Sequence, residues 1–300
     1  MGTLENRRKL TAVRGMGAAL VGFAGWIVLY VVFGLIEPNI FTTNNMLNLL
    51  RSMAKYLLVG VGQGVILITG NIDLSIGSVV AMSAMISATM MSHGTAAIVA
   101  VCAAIVCCLL VGLINGLLVG KFKLPPFIAT LGMTTILRGL AIALNRGYPL
   151  PIDPLHPMIA VGNGKLLGIP SVLLIAVLAF VACWFILNKT NIGRDVFAVG
   201  GNAEAAKFSG INLAATTIFS FVLSGVFTAL AGVIMAARMY SGVPSCATAL
   251  ETDAITAVII GGTSFTGGDG NIGGTIFGTV LLAVIVNCMV IFGLQEWMQK

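Results

Sequence analysis

Long apolar runs separated by short polar stretches dominate the sequence. A helix needs about 20 apolar residues to cross the hydrocarbon core of a membrane. Nine runs approach this length, and the spans they predict are 16–36, 54–70, 76–92, 96–120, 125–144, 169–188, 213–237, 251–263 and 271–292. Three of them (54–70, 76–92 and 251–263) are shorter than the rest. The pattern predicts an all-α protein, a polytopic transmembrane helical bundle of about nine spans.

The composition strengthens this interpretation. The chain is 58% hydrophobic and 9% charged, with a mean hydropathy of +1.05, whereas a soluble domain carries about 25% charged residues. The net charge of +6 comes from scattered basic residues that flank apolar runs, which is typical of topology determinants rather than of a nucleic-acid surface. A soluble globular domain is therefore excluded.

The distribution of Lys and Arg predicts the orientation. With the N-terminus inside, the inside segments (1–15, 71–75, 121–124, 189–212 and 264–270) hold nine of the 16 basic residues, and the outside segments hold five. An excess of Lys and Arg marks the cytoplasmic side. We expect a cytoplasmic N-terminal segment (1–15), a transmembrane domain (16–292) with a cytoplasmic loop at 189–212, and a short C-terminal segment (293–300).

The first apolar run could be taken for a signal peptide, because Arg7, Arg8, Lys9 and Arg14 precede it. It is nearer 20 residues long than the 7–15 residues of the apolar h-region of a signal peptide. An uncleaved first transmembrane helix is the preferred interpretation.

The stretch ILITGNIDLSIGSVV (66–80) places Asp73 between two short apolar runs. The carboxylate could cap a helix that begins near Leu74, lie in a plain cytoplasmic turn, or line a transport path. Paired short apolar segments interrupted by glycine point to broken helices around a transport site. We favour capping as the direct role of Asp73, with the break itself serving transport.

A second break is predicted in ETDAITAVIIGGTSFTGGDGNIGG (251–274), and the two breaks hint at an internal repeat. Residues 268–273 match GxGxxG, but their flanks look like membrane helices rather than a βαβ unit, so a tight glycine loop is preferred over a dinucleotide site. Glu251 and Asp253 could cap a helix or lie at the water boundary. Arg138, deep in its span, could pair with Asp73 or Asp253.

The loop 189–212 predicts a short helix from Ala203 to Ser209. Asn202 is a good N-cap, Glu204 lies in the first turn, and Gly210 suits the position after the C-cap. This helix is either an ordinary surface helix or a docking helix for a cytoplasmic partner. Phe197 and Phe208 would give such a helix an apolar patch.

The remaining polar chemistry is sparse. Five of the six cysteines lie inside apolar runs and are interpreted as apolar fillers. His93 and His156 stand alone in loops, so we predict no metal site and no cofactor. The sequence has no GxxxxGK[ST] motif, so ATP, if used, must be hydrolysed by another chain.

Five motifs carry a family resemblance. In chain order they are ILITGNIDLSIGS, PPFIATLGMTTILRGLAIA, NIGRDVFAVGGNAEAAKFSGIN, LSGVFTALAGVIMAAR and LETDAITAVIIGGTSFTGGDGNIGGTIFG. Together they resemble the membrane permease subunit of bacterial ABC importers for ribose, galactose and related monosaccharides, from about Phe41 to the C-terminus. Family members usually continue past QEWMQK with one more helix. Since this chain stops at Lys300, the tenth helix is expected to be absent, which would affect transport competence.

The resemblance implies an inner-membrane permease that is not itself an enzyme and that works by alternating access. Its implied partners are a cytoplasmic ATP-binding subunit, a periplasmic sugar-binding protein and a second permease chain, identical or different, within membrane lipid. The residues that match the family's ATPase-docking helix are Gly201, Asn202, Glu204, Ala205, Ala206 and Gly210. By polarity, the candidates for the sugar path are Gln63, Asn71, Asp73, Thr252 and Asp253.

Two rival functions remain open on the sequence alone. An ion-coupled secondary transporter would use Asp73, Asp253 or Arg138 as coupling groups. An intramembrane enzyme would need a nucleophile–base pair or a metal cluster, and neither is visible in the sequence.

Overall fold

The computed structural model describes residues 27–28, 30–295 and 298. Residues 30–36 are helical, and a short 3₁₀ turn (Pro38–Phe41) leads into the bundle. The helices that follow are α1 (Thr43–Ile68), α2 (Ile76–Ser92), α3 (Ala97–Gly116), α4 (Pro126–Leu144), α5 (Pro157–Asn163), α6 (Ser171–Lys189), α7 (Asn191–Gly201), α8 (Ala203–Phe208), α9 (Leu213–Met239), α10 (Leu250–Ile260) and α11 (Ile272–Ile291). A π-helical turn, Leu117–Lys121, extends α3.

The strands are minor features of the fold. Strand β1 (Leu150–Pro151) pairs antiparallel with β4 (Ser241–Gly242), and β2 (Lys165–Leu166) pairs antiparallel with β3 (Ile169–Pro170). In the part of the chain that the structure describes, the fold is therefore almost entirely helical, as the apolar pattern predicts.

Each predicted span from residue 54 onward coincides with a helix. Five helices are long and apolar enough to cross a membrane: Ala97–Lys121, Pro126–Leu144, Ser171–Lys189, Leu213–Met239 and Ile272–Ile291. Helix α2 has the predicted bounds, 76–92, and is a shorter apolar helix. Most of the first predicted span lies outside the described residues, and the count of nine spans stays a prediction.

Helix α1 corrects one predicted boundary. It begins at Thr43 rather than at 54, because Thr42 caps it by accepting a hydrogen bond from the amide of Asn45 at 3.4 Å. Leu47 and Leu49 are buried in this first part, while the face around Asn48 is exposed. A polar face lowers the average hydropathy, so the apolar-run criterion misses these turns. The run at 54–70 is therefore part of a long helix.

Helix α9 forms the centre of the bundle and is the most buried of the five candidate spans. Glycines on α3 let the backbones of α3 and α9 approach each other closely. A Cβ on Gly112 would overlap the carbonyl of Phe221, and a Cβ on Gly116 would lie 2.7 Å from the Cα of Ile218. In membranes, such small-residue contacts replace the hydrophobic drive that packs helices in water.

The loops gather at two ends of the bundle. At the end predicted to be outside, β1 pairs with β4 and His156 contacts the carbonyl of Thr95 at 3.1 Å. At the other end lie the break between α1 and α2, the loop 261–271, and α7 with α8. Helix α6, at 19 residues about 28 Å long, connects the two ends.

Candidate functional site

The short helix α8 carries the N-terminal cap that the sequence predicts. The side chain of Asn202 accepts a hydrogen bond from the amide of Ala205 at 2.9 Å, which satisfies one of the free N–H groups of the first turn. Glu204 lies in that turn, where the helix dipole favours a carboxylate. The predicted start at Ala203 is confirmed.

The other end of α8 also follows the prediction. Gly210 has φ +84°, a left-handed conformation that glycine adopts without strain. The amide of Gly210 bonds to the carbonyl of Lys207, and the amide of Ile211 bonds to the carbonyl of Ala206, each at 3.0 Å. This pair of bonds is a Schellman motif. The helix ends at Phe208, one residue earlier than predicted.

Most of α8 points away from the bundle. Ala206 is buried, whereas Phe208 is 90% exposed. A single exposed apolar side chain does not by itself define an interaction surface. Phe197, predicted to share the patch, instead lies half-buried against the main core.

Phe197 belongs to α7, a helix in a segment that the sequence pattern predicts to be a loop. Thr190 caps it by accepting from the amide of Gly193 at 3.3 Å. Val196 and Val199 are buried on one face, so tertiary packing stabilises a segment with two glycines at its end. Helices α7 and α8 therefore follow one another with Asn202 between them.

At the first break, the structure overturns the predicted cap. Helix α2 begins at Ile76 with Ser75 as its N-cap residue, so Asp73 lies two residues before the cap. The carboxylate accepts hydrogen bonds from the amide and the hydroxyl of Ser75, at 2.7 and 2.6 Å. Asp73 thus folds the chain into a turn that enters the helix, rather than capping a helix that begins at Leu74.

Neighbouring helices hold this break in place. The hydroxyl of Thr130 accepts from the amide of Leu74 at 3.1 Å, and the hydroxyl of Thr134 donates to the carbonyl of Leu74 at 2.8 Å. The side-chain amide of Asn115 donates to the hydroxyl of Ser75 at 3.0 Å. The non-helical backbone is thus satisfied by protein groups, as a buried irregular segment requires.

The side chain of Glu251 lies at the same break as Asp73. The sequence pattern does not predict Glu251 as part of the sugar path. A Cβ on Gly77 would overlap the carboxylate of Glu251 and lie 2.5 Å from the carbonyl of Ala247. Gly77 lies in the first turn of α2, where the helix dipole favours negative charge. The absence of a side chain at Gly77 thus lets Glu251 reach this helix end.

The other path candidates do not form one cluster. Gln63 is fully buried, and neither polar atom of its side-chain amide has a hydrogen-bond partner. Asn71 donates to the hydroxyl of Thr69 at 2.9 Å. Asp253 is half-buried and interacts electrostatically with Tyr56. Thr252 is exposed and donates to the carbonyl of Ala249 at 2.6 Å.

Gln63 lies where helices α9 and α11 approach α1. A Cβ on Gly62 would lie 2.9 Å from the hydroxyl of Ser224 on α9, and a Cβ on Gly64 would lie 3.7 Å from the hydroxyl of Thr275 on α11. Both hydroxyls are buried without a hydrogen-bond partner. Buried polar groups are nearly always paired, so this region offers unused donors and acceptors to a polar ligand.

Arg138 does not make the predicted ion pair. Its guanidinium donates to the carbonyls of Pro244 and Cys246 at 2.8 and 2.9 Å. These carbonyls belong to the non-helical segment between β4 and α10. Both hydrogen bonds come from the same guanidinium nitrogen, Nη1, which thus holds two carbonyls of that segment together.

The second break is a glycine loop, as predicted. Its flanks are α10 and α11, so the GxGxxG match lacks the strand that a dinucleotide site requires. Gly267 and Gly268 have φ +83° and +73°. Helix α10, at 11 residues about 16 Å long, covers roughly half of a bilayer core.

A pocket of about 290 Å³ opens beside the start of α8. Residues from the first break, from the turn before α4 and from the ends of α7 to α9 line it: Thr69, Asn71, Val119, Lys123, Leu124, Pro125, Pro126, Val199, Ala203, Leu213 and Thr217. Three of the loops predicted as cytoplasmic therefore meet at one place. Among the described residues, no group of three or more His, Cys, Asp or Glu side chains could hold a metal ion.

Comparison with known proteins gives a consistent set of relatives. A ribose import permease of Bacillus subtilis is 36% identical over 297 residues, which cover 99% of this chain and 92% of the relative. A ribose import permease of Escherichia coli is 35% identical over 276 residues, covering 91% and 86%. A D-allose transport system permease of E. coli is 33% identical over 280 residues, covering 91% and 84%. No solved structure matches the chain.

A protein-family match covers both breaks and the capped helix α8. It extends over residues 45–300 and bears the description "branched-chain amino acid transport system / permease component". Each of the relatives above is itself named as a permease. The chain therefore belongs to the branched-chain amino acid transport system / permease component family.

Proposed function

We propose that this chain is the membrane permease subunit of an ABC importer that carries a monosaccharide into the cytoplasm. The observation that carries the proposal is alignment over at least 91% of the chain with permeases named for ribose and D-allose. A permease named for L-arabinose, from Azospirillum brasilense, aligns over the same share at 32% identity. A separate ATP-binding subunit supplies the energy.

The polar interior supports a neutral, hydroxyl-rich substrate. Gln63, Ser224 and Thr275 hold buried polar atoms without partners, and a sugar hydroxyl can both donate to and accept from such groups. The proposed path comprises Gln63, Asn71, Asp73, Thr252 and Asp253, and Glu251 is added because it reaches the first break. The family description names branched-chain amino acids instead, so substrate choice is part of the test.

Helix α8 supports the proposed docking on the ATPase. It is capped at both ends and exposed along most of its length, and Phe208 projects from it. The proposed docking residues are Gly201, Asn202, Glu204, Ala205, Ala206 and Gly210. ATP binding and hydrolysis in the partner would displace α8 and open the path to one side of the membrane at a time.

The proposed assembly lies in the bacterial inner membrane with the N-terminus of the chain in the cytoplasm. A periplasmic sugar-binding protein delivers the substrate, and a second permease chain completes the membrane part. Helices α3, α4 and α6 expose apolar side chains such as Leu110, Leu140 and Leu178, which suits contact with lipid tails or with that second chain.

The test is sugar uptake and ATPase activity of the complex reconstituted in vesicles, with a panel of pentoses, hexoses and branched-chain amino acids as substrates. Glu204→Lys should lower sugar-stimulated ATP turnover, because it reverses a charge in the first turn of α8. The control is Asp153→Lys, which makes the same charge change in an exposed loop at the other end of the bundle. Undiminished turnover with Glu204→Lys would rule out the docking role. Uptake that collapses with an uncoupler at constant ATP would favour an ion-coupled carrier.

A further inference from the structure

Three backbone segments meet immediately before α8. They are the end of α1, the end of α7 and the glycine loop of the second break. The amide of Gly268 donates to the carbonyl of Ile68 at 2.9 Å. A Cβ on Gly200 would overlap that same carbonyl and lie 2.5 Å from the nitrogen of Gly268. The backbones touch directly, without side chains between them.

Glycines from all three segments are required for this contact. A Cβ on Gly268 would overlap the Cα of Gly201, and a Cβ on Gly267 would lie 2.6 Å from the Cα of Gly70. Gly70, Gly267 and Gly268 also have φ between +73° and +83°, which other residues adopt only with strain. We call the contact of Ile68, Gly200 and Gly268 the glycine joint.

The position of the joint links the docking helix to both breaks. Gly201 directly follows Gly200, and Asn202 then caps α8. On the other side, Ile68 ends α1 just before the break that holds Asp73, and Gly268 lies within the second break. The α8 end and the two breaks therefore share one point of backbone contact.

A contact of this kind transmits displacement efficiently. Side chains can change rotamer and absorb a small shift, whereas touching backbones have no such freedom, and close-packed interiors transmit strain. We propose that the glycine joint carries the movement of α8 to both helix breaks, so that the three segments move as one body. This inference rests on the proposed docking of α8 and names the route by which docking reaches the path.

Two matched pairs of variants test the joint. Gly200→Ala overlaps the carbonyl of Ile68, whereas Gly139→Ala, also at a helical glycine, meets nothing within 4 Å. Gly268→Ala adds both strain and overlap, whereas Gly262→Ala adds the same kind of strain at φ +87° in open space. The measurement is sugar transported per ATP hydrolysed in the reconstituted complex, with ATPase co-purification as the check of assembly.

We expect Gly200→Ala and Gly268→Ala to lower this ratio by about five-fold or more, the scale of a typical coupling free energy. Gly139→Ala and Gly262→Ala should stay near the ratio of the unmodified chain. Equal ratios for Gly200→Ala and Gly139→Ala in assembled complexes would overturn the joint. The proposed function fails separately, if the unmodified chain shows no ATP-dependent sugar uptake.

If the alanine variants do not assemble, a chemical cross-link provides a second test of the glycine joint. Ala203→Cys and Asp269→Cys place two thiols at exposed positions on either side of the joint, and a short bifunctional thiol reagent can bridge them before the ATP-binding subunit is added. Since the segments move together, the bridged complex should keep its uptake, with each single variant as control. Loss of uptake that is specific to the bridged pair, or failure of the pair to cross-link in the purified chain, would overturn the inference.

Discussion

The carboxylate of Asp73 accepts two hydrogen bonds from Ser75, at 2.7 Å from the amide and 2.6 Å from the hydroxyl. Asp73 is 5% exposed, so its surroundings replace the water that a carboxylate normally binds. The side chain therefore shapes the entry into α2 directly. If Asp73 also contributes to the sugar path, it must do so from the side of its carboxylate that faces away from Ser75.

The two hydrogen bonds give Asp73→Asn and Asp73→Ala different outcomes. The amide oxygen of Asn can accept both bonds, so we expect near-normal folding and uptake. Alanine leaves the buried groups of Ser75 unsatisfied, which costs about 1–3 kcal/mol per group, and should lower the thermal stability and yield of the chain in detergent. Strong loss of uptake by a normally folded Asp73→Asn variant would instead place the charge itself on the path.

The local signals in the sequence were sufficient for elements that depend on local chemistry. The apolar runs gave the positions of α2 and α9, and the Asn202 and Gly210 caps gave both ends of α8 to within one residue. Hydropathy missed the first turns of α1, because the exposed polar face around Asn48 lowers their average hydropathy although Leu47 and Leu49 are buried. It also missed α7, which depends on packing against the core.

The arrangement of the candidate site depends on contacts between residues that are far apart in the sequence, and a local sequence pattern does not contain such contacts. Gly77 and Glu251 are far apart in the sequence, and their contact depends on the unwound segment before α10. The same holds for Arg138, whose partners are backbone carbonyls rather than the expected carboxylates. Every residue has a backbone carbonyl, so the sequence does not mark which carbonyls accept a hydrogen bond. The charge of Arg138 alone therefore indicates the wrong partner.

The close approach of α3 and α9 predicts opposite effects for two glycine substitutions. Gly112→Ala would overlap the carbonyl of Phe221, and the helices must separate to accept it. Gly132→Ala on α4 meets nothing within 4 Å and replaces a poor helix former by the best one, a gain of about 1 kcal/mol. Thermal unfolding of the isolated chain in detergent should show a lower midpoint for Gly112→Ala and an equal or higher one for Gly132→Ala. Equal destabilisation by both would contradict the packing described for α9.

Arg138 is expected to restrain the segment between β4 and α10. Ala247 and Ala249 there have φ of +59° and +62°, a strained conformation for residues with side chains. Arg138→Met keeps the apolar stem but removes the donors to Pro244 and Cys246.

Hydrogen exchange of the amides at 241–249 should therefore become faster in Arg138→Met, and uptake should fall. The exchange rate in Arg138→Lys should lie between those of Arg138→Met and the unmodified chain, because an ammonium still donates hydrogen bonds but lacks the planar geometry of a guanidinium. Arg146→Met, an exposed change just beyond the same helix, is the control. Unchanged exchange in Arg138→Met would show that the segment holds its conformation without this side chain.

The Asn202 cap separates the docking role of α8 from general helix stability. Asn202→Ala removes the bond to Ala205 and should weaken this six-residue helix by about 1 kcal/mol. The control is Asn212→Ala, which removes the same kind of cap, a 3.1 Å bond to the amide of Ala215, from the long helix α9. Affinity of the chain for the ATP-binding subunit, measured by co-purification at several salt concentrations, should fall with Asn202→Ala and hold with Asn212→Ala. Rescue by Asn202→Ser, which restores a capping oxygen, would tie the loss to the cap, whereas equal affinity of all three variants would remove α8 from the interface.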